Sequence, residues 1–309
     1  MDLTNTLAAE LGLNLTSTDL IVYGVFCILA VSVGVFLAKK QAQKFSGHGN
    51  NTGGIHAHPS GKHPAVTFFD YGDLRFLHLG SPAVQGSMQI SKPYDIHLEY
   101  QQRMMAWLLF TDLNQLNRLH VMQMGLGAAG LTKFCHQQLH TQTTAIELNP
   151  QVIDTCRQWF KLPANSNTLQ VVLGDAAEVA RDTQWHQTID VLQVDLYDPE
   201  ALCPVLDTEA FYADCRQLLT HNGCMVVNVF GRASDVANSL QKMAASFGTH
   251  TLWAFKPTSA GNAIVLAFRT PVALDHNALF AQAQAIEKRW PLPATEWLKA
   301  LAPSQAAAT

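Results

Sequence analysis

The chain has 309 residues, of which 48% are hydrophobic and 14% charged, and its formal net charge at pH 7 is −4. This composition excludes wholesale disorder and provides a sizeable core for one large domain or slightly more. The lack of a basic excess argues against nucleic acid as a partner and is compatible with a cationic small substrate. Six scattered cysteines without a C-x-x-C pair argue against a zinc knuckle or disulfide framework and indicate a reducing compartment.

The N-terminal region predicts a single membrane anchor. Residues 1–19 contain no Lys or Arg, and residues 20–38 contain no charged residue at all. As a helix, the uncharged run would be roughly 28 Å long, close to the hydrocarbon thickness of a bilayer. Lys39, Lys40 and Lys44 follow it, and basic flanks stay in the cytoplasm. We therefore expect one crossing of the inner (plasma) membrane, an extracytoplasmic N-terminus and a cytoplasmic catalytic domain. The alternative is a buried core helix.

A linker and a small β-subdomain come next. Residues 39–64 are rich in glycine, asparagine and serine, which is typical of a flexible tether. No predicted helix or strand fixes the geometry of the four histidines in it, so a tether is favoured over a metal site. Residues 65–115 show the patterns of three short strands and a helix, at residues 66–69, 74–79, 84–90 and 98–110.

Residues 119–149 predict a strand, a glycine turn, a helix and a second strand. The apolar run 119–124 leads directly into a G-x-G-x-x-G turn formed by Gly125, Gly127 and Gly130. Glycines let backbone N–H groups approach a ligand closely, and the N-terminus of the following helix adds positive potential. In this context of strand and helix, the turn is suited to binding a ligand through its backbone.

Glu147 indicates which class of ligand the glycine turn would bind. It ends the second predicted strand, 22 residues after Gly125, where a carboxylate can accept hydrogen bonds from both hydroxyls of a ribose. The turn and Glu147 together therefore predict a nucleoside. The alternative is a tight turn between a strand and a helix, with Glu147 facing solvent.

The rest of the chain alternates between strand and helix patterns. The predicted strands are 169–173, 189–194, 224–230, 251–255 and 263–268, and the predicted helices start at 150, 208, 233 and 276. This alternation predicts an α/β fold with a mostly parallel, doubly wound sheet. We assign residues 116–270 to this nucleoside-binding domain and residues 271–309 to C-terminal helices and a tail.

Ligands of such a sheet bind beyond the carboxyl ends of the strands. Asp175 and Asp195 follow the third and fourth strands of the domain, so they share a rim with the glycine turn and Glu147. Asp175 can accept a hydrogen bond from the exocyclic amine of an adenine, or it can cap the helix that starts at Ala176. Both interpretations stay open.

Asp195 and Asp198 are the predicted catalytic residues. Two carboxylates at one strand end can attract a primary ammonium and help to remove its proton, which must happen before the nitrogen acts as a nucleophile. The alternative for Asp198 is a structural role in the turn before Pro199.

The order of these segments resembles that of the polyamine aminopropyltransferases, the spermidine synthase family. The resemblance covers roughly residues 66–269 and implies a Rossmann-like fold of the S-adenosylmethionine methyltransferase type, preceded by a β-subdomain. The matching segments are Gln85-Gly-Ser-Met-Gln89, Tyr100-Gln101, Met124 to Gly130, Ala145-Ile-Glu-Leu-Asn149, Gly174-Asp-Ala176, Val194-Asp-Leu-Tyr-Asp-Pro199 and Phe211-Tyr212.

The resemblance implies a role for each predicted site residue. Decarboxylated S-adenosylmethionine would be a co-substrate rather than a permanently bound cofactor, and no metal is implied. Asp195 would deprotonate the acceptor amine, with Asp198 beside it, and Tyr100 and Gln101 would bind substrate. The implied donor-binding residues are Gln89, Gly125, Gly127, Gly130, Glu147 and Asp175. Members of the family often form dimers, so the resemblance also implies a homodimer.

Three positions depart from the family pattern. Ala128 replaces an Asp that holds the donor's amine, Gln102 replaces a Glu, and Ser259 replaces a Tyr. The leading hypothesis is a membrane-tethered aminopropyltransferase that acts on an amine. The alternatives are an S-adenosylmethionine-dependent methyltransferase, a nicotinamide dehydrogenase and a non-catalytic nucleoside or polyamine sensor. Against the dehydrogenase, the sequence shows no convincing catalytic His, Lys or Tyr motif.

Overall fold

The computed structural model describes residues 63–198, 205–272 and 275–304. The predicted N-terminal segment and membrane helix, and nearly all of the predicted linker, lie outside these ranges. Within the ranges, no helix combines the length and the apolar character that a bilayer crossing requires.

The first three described strands form a small antiparallel sheet. They are β1 (Val66–Tyr71), β2 (Leu74–Leu79) and β3 (Val84–Gln89), close to the predicted positions. Because side chains alternate along a strand, one face carries buried apolar residues such as Phe68 and Leu77. These pack in one cluster with Leu126 of the glycine turn, so the small sheet lies directly over that turn.

The main sheet has eight strands in the described part of the chain, in the order β11-β9-β10-β8-β7-β4-β5-β6. Strands β4 to β8 pair in parallel and the remaining pairs are antiparallel. The sheet is therefore mixed rather than mostly parallel. The strands are β4 (His120–Met124), β5 (Gln142–Glu147), β6 (Leu169–Leu173), β7 (Ile189–Val194), β8 (Leu219–Phe230), β9 (Leu252–Phe255), β10 (Asn262–Phe268) and β11 (Leu301–Pro303).

Helices cover both faces of the main sheet. Val121 belongs to a core cluster with α1, α2, α7 and α8, whereas its neighbour Met122 packs on the opposite face with α4, α5 and α6. This is the double winding that the alternating pattern predicted. The helices are α1 (Glu99–Met104), α2 (Gly130–Lys133), α3 (Pro150–Trp159), α4 (Ala176–Arg181), α5 (Glu209–Leu218), α6 (Ala233–Phe247), α7 (His276–Arg289) and α8 (Ala294–Ala300).

Three predicted helices differ in detail. The helix at 98–110 is α-helical only over α1 and continues as a 3₁₀ helix over Ala106–Phe110. The helix at 131–139 changes from α2 to a π-helical turn over Phe134–Gln138. The C-terminal helix is interrupted at Pro291 and Pro293, because proline lacks the N–H that a helix interior needs.

Lys133 on α2 carries a buried cation, with 1% of the residue exposed. Its Nζ donates to the carbonyl oxygen of Phe160 at 2.7 Å. Burial lowers the pKa of Lys133 from 10.5 to about 8. In the native state the charged form is therefore disfavoured relative to the unfolded state, by about 3 kcal/mol at neutral pH.

The buried lysine predicts a pH-dependent stability. Between pH 8 and 10.5 the unfolded chain binds more protons at Lys133 than the native protein does, so this group's contribution to stability rises with pH. Chemical denaturation of the wild type and of Lys133→Met should show the wild type gaining about 3 kcal/mol relative to the variant across that window. A difference that stays flat with pH would contradict this assignment.

Candidate active site

A cavity of about 770 Å³ lies at the carboxyl ends of β4 to β8, under the loop between β2 and β3. Its described lining includes four carboxylates but no Lys or Arg, which makes the cavity electronegative. A cation is therefore favoured inside it. The four carboxylates are Glu147, Asp175, Asp195 and Asp198.

The glycine turn is packed too closely for side chains. Gly125 has φ +88°, and a Cβ added there would collide with the backbone carbonyl oxygen of Asp195. Gly127 has φ +51°, and its added Cβ would lie 2.8 Å from the carbonyl oxygen of Gln85. The turn therefore lies between the end of β7 and the start of β3. Glycine is needed at both positions because it accepts the positive φ and leaves room for the close approach.

Glu147 connects the glycine turn to the N-terminus of α3. Its Oε2 accepts from the backbone N–H of Leu126 at 3.0 Å, and its Oε1 accepts from that of Asn149 at 2.8 Å. Burial raises the pKa of Glu147, and these N–H groups lower it. Each oxygen keeps a second lone pair, so the carboxylate can still accept from ligand hydroxyls.

Asp195 is held by two neutral donors. Asn228 Nδ2 donates to its Oδ1 at 2.9 Å, and the Tyr100 hydroxyl donates to its Oδ2 at 3.2 Å. The surrounding protein removes this carboxyl group from bulk water, which raises its pKa, while the two hydrogen bonds lower it. Asn262 Nδ2 in turn donates to Asn228 Oδ1 at 3.1 Å and fixes the orientation of that amide. The result is an oriented carboxylate whose affinity for a proton is increased.

Asp175 and Asp198 also line the cavity. Asp175 Oδ1 accepts from the N–H of Ala177 at 2.8 Å and so caps α4, which is the structural role considered for it. Its position in the lining keeps the ligand-binding role open as well. The backbone carbonyl of Asp198 accepts from Gln85 Nε2 at 3.2 Å, which connects the segment after β7 to the small sheet.

Three predicted site residues do not reach the cavity. The side chain of Gln89 donates to Asp73 Oδ2 at 3.0 Å at the far end of β3, so it faces away from the ligand site. Gln101 is buried behind the glycine turn, and its Oε1 would lie 2.9 Å from a Cβ at Gly130. Gln101 and Gly130 therefore pack against each other. Side-chain direction on α1 and β3 depends on tertiary packing, which motif spacing does not contain.

Sequence reasoning did not identify Gln85 and Asn228 as site residues. Gln85 begins the segment whose last residue, Gln89, was chosen instead. Asn228 is a polar residue inside the apolar run of β8, next to the rim of the sheet. That break in an apolar strand was the available signal, because a buried amide needs hydrogen-bond partners.

The three departures from the family pattern lie in different surroundings. Ala128 is fully buried, and its Cβ would lie 2.7 Å from a Cβ added at Gly86, so it packs under the small sheet. It is absent from the cavity lining. Gln102 Nε2 donates to the carbonyl oxygen of Ile96 at 2.9 Å. Ser259 lies in the turn between β9 and β10, beside the lining residue Ala260.

Comparison with known proteins agrees with this arrangement. The spermine/spermidine synthase domain matches residues 112–274. The polyamine aminopropyltransferase of Neisseria meningitidis serogroup A is 35% identical over 209 residues, which cover 67% of this chain and 77% of the relative. The polyamine aminopropyltransferase of Chromobacterium violaceum is 30% identical over 240 residues, which cover 77% of this chain and 89% of the relative.

A solved structure shares the fold. A probable spermidine synthase from Corynebacterium glutamicum aligns with a TM-score of 0.64 and 18% identity, over 78% of this chain and 87% of that chain. This likeness supports the Rossmann-like, methyltransferase-type architecture, whereas the sequence matches over more than half of the chain establish kinship. The chain belongs to the spermine/spermidine synthase family, the polyamine aminopropyltransferases.

Proposed function

We propose that this protein transfers an aminopropyl group from decarboxylated S-adenosylmethionine to a small amine. The observation that carries the proposal is the orientation of the Asp195 carboxylate by Tyr100 and Asn228. Asp195 lies beside the glycine turn, in a cavity lined by three further carboxylates. Family membership supports the same reaction.

The reaction is a displacement at the carbon next to a sulfonium. The acceptor nitrogen forms the new C–N bond as the C–S bond breaks, and the sulfur leaves as the neutral thioether methylthioadenosine. Asp195 takes a proton from the acceptor ammonium, so the nitrogen has a free electron pair when it attacks. Glu147 and the glycine turn hold the nucleoside, which places the reacting carbon in line with the nitrogen.

The charge of the cavity supports the decarboxylated donor. Every Asp, Glu, Lys or Arg in its described lining is an acid, and His63 is the one histidine there. A donor that keeps its carboxylate would place a fifth negative group there without a Lys or Arg partner, whereas the decarboxylated donor adds only positive charge. Discrimination by repulsion of this kind needs no contact that is specific to the correct donor.

Comparison of the two donors tests the proposal. We expect kcat/KM for decarboxylated S-adenosylmethionine to exceed that for S-adenosylmethionine by about 100-fold or more, because unpaired like charges in a buried site cost several kcal/mol. The full-length chain is incubated with each donor and a pool of amines. Equal use of both donors, or preference for the carboxylated one, would remove this support.

The second candidate is an S-adenosylmethionine-dependent methyltransferase. Ala128 favours it, because the residue offers no carboxylate where the family pattern has an Asp for the donor's amine, and its methyl group packs under the small sheet. Formation of S-adenosylhomocysteine together with a methylated amine would establish this alternative. The third candidate, a non-catalytic sensor, predicts nucleoside binding without any turnover.

The hydrogen bond from Asn228 predicts the pH dependence of the reaction. This bond favours the ionised form of Asp195, so Asn228→Leu should raise the pKa of Asp195 further. The acidic limb of the kcat/KM profile reports the base of the free enzyme and should move to higher pH in the variant. Asn165→Leu, at a residue outside the cavity lining, is the control. If the acidic limb does not move in Asn228→Leu, the group that titrates in the profile is not Asp195.

We further propose that residues 20–38 anchor the protein in the inner membrane with the catalytic domain in the cytoplasm. The uncharged run and the lysines after it support this topology. Protease added outside intact spheroplasts should leave everything beyond Lys44 uncut, and cleavage beyond that point would reverse the topology. The proposed partners are the acceptor amine and a second copy of the chain.

A further inference from the structure

Asp207, which lies outside the catalytic cluster, has a carboxylate that accepts hydrogen bonds from three different side chains. Its Oδ1 accepts from the Tyr212 hydroxyl at 2.7 Å, and its Oδ2 accepts from Ser239 Oγ at 2.9 Å and from Lys242 Nζ at 2.7 Å. Lys242 Nζ also donates to the backbone carbonyl of Asp207 at 2.9 Å. Three side chains are thus fixed to the carboxylate of Asp207, and one of them also holds its main-chain carbonyl.

Most of this network is shielded from water. Tyr212 and Ser239 are 1% and 2% exposed, and the side chains of Asp207 and Lys242 keep only 17% and 28% of their exposure. Charge-assisted hydrogen bonds in such surroundings are stronger and better oriented than exposed ion pairs. Loss of one partner leaves the other charge uncompensated, so the pair fixes its segment firmly.

The network stands directly behind one wall of the cavity. Val205 and Leu206, the two residues before Asp207, both line it. The backbone N–H of Val205 donates to the carbonyl oxygen of Leu196, next to Asp195, at 3.2 Å. Thr208 then caps α5, so the chain passes in four residues from the cavity wall to a helix end.

Helix packing relates this wall to the part of the cavity that Asp175 lines, where the nucleoside is proposed to bind. Helix α5 packs against α4, the helix that Asp175 caps at the carboxyl end of β6. Lys242 and Ser239 lie on α6, which also packs against α5. The Asp207–Lys242 pair therefore connects the Val205–Leu206 wall to the helical layer that includes α4, the helix capped by Asp175.

We infer that Asp207 and Lys242 are positioning residues for the nucleoside: they hold the Val205–Leu206 wall at the distance that the donor's base requires. Neither residue is in the cavity lining, so both act through that wall. The inference rests on the proposed function only in that the ligand is a nucleoside, which the methyltransferase alternative shares.

The test measures nucleoside affinity in variants of the full-length chain. Lys242→Met removes the cation, Lys242→Arg keeps it, and Lys299→Met breaks an exposed ion pair with Glu296 outside the cavity lining. Calorimetry with methylthioadenosine and S-adenosylhomocysteine gives Kd. We expect Lys242→Met to weaken binding of whichever nucleoside the wild type prefers by about tenfold, because a displaced wall loses its fit to the base. Lys242→Arg should restore affinity to within about threefold, and Lys299→Met should have no effect.

Kinetics separate positioning from a general loss of structure. The acceptor KM and the pH profile of kcat should stay unchanged in Lys242→Met, since Asp195 keeps its own partners. Should that variant fail to fold, Ser239→Ala removes one donor to Asp207 and should give a smaller loss of affinity in the same direction. Unchanged Kd, or equal losses in donor and acceptor parameters, would refute the inference. A wild type that binds methylthioadenosine without turnover would instead refute the proposed function alone, and one that binds neither nucleoside would refute both.

Discussion

Replacement of Asp195 by Asn is expected to lower kcat by about 10²- to 10⁴-fold, the range typical for loss of a general base. Asn has nearly the same shape and can keep hydrogen bonds to Asn228 and Tyr100, so the cavity should stay intact. It cannot accept a proton from the acceptor ammonium at any useful pH. The nucleoside is held by other residues, so the Kd for methylthioadenosine should change by less than about threefold.

A matched variant separates this effect from a general loss of negative charge. Asp182→Asn removes one carboxylate at the cap of a short 3₁₀ turn, outside the cavity lining, and should retain full activity. Full turnover in Asp195→Asn would remove Asp195 from the mechanism. A residual activity that recovers as pH rises would instead point to an acceptor that deprotonates in solution before it binds.

Gly125→Ala is expected to lower kcat/KM by about 100-fold or more, because its Cβ would collide with the carbonyl oxygen of Asp195. Relief of that overlap displaces either the glycine turn or the start of the segment that carries the base. A misplacement of about 1 Å at such a site costs two orders of magnitude in rate. The variant should also unfold at a lower temperature, because the positive φ of +88° disfavours alanine.

Gly248→Ala is the control for the dihedral angle alone. Gly248 has φ +94°, but a Cβ there meets no atom within 4 Å. Its substitution should cost about 1–3 kcal/mol of stability and leave kcat/KM unchanged. Equal catalytic losses in the two variants would show that backbone strain, rather than the contact between the turn and Asp195, accounts for the effect of Gly125→Ala.

The rim of the sheet could be predicted because strand ends follow from local patterns. Buried parallel strands are apolar runs, so the first polar residue after each run marks the carboxyl end. Glu147, Asp175 and Asp195 were found in this way, and all three line the cavity. The same rule does not find Asn228, since it lies within its strand rather than after it.

Features that depend on packing between distant segments were not predicted. Gln89 and Gln101 have suitable chemistry, but one faces the turn between β1 and β2 and the other fills the space beside Gly130. Strand β11 has only three residues, and its pairing with β9 is set by the tertiary position of α8. Local propensity carries no information on contacts of this kind.

The most direct test of aminopropyl transfer is the identity of the products. The full-length chain is given decarboxylated S-adenosylmethionine labelled with ¹³C in its aminopropyl carbons, together with a pool of amines, and both products are followed by mass spectrometry. We expect unlabelled methylthioadenosine and one amine that is heavier by a labelled aminopropyl unit, with both forming about 10²- to 10⁴-fold more slowly in Asp195→Asn. Protein that binds the donor but leaves the label on the nucleoside would contradict aminopropyl transfer.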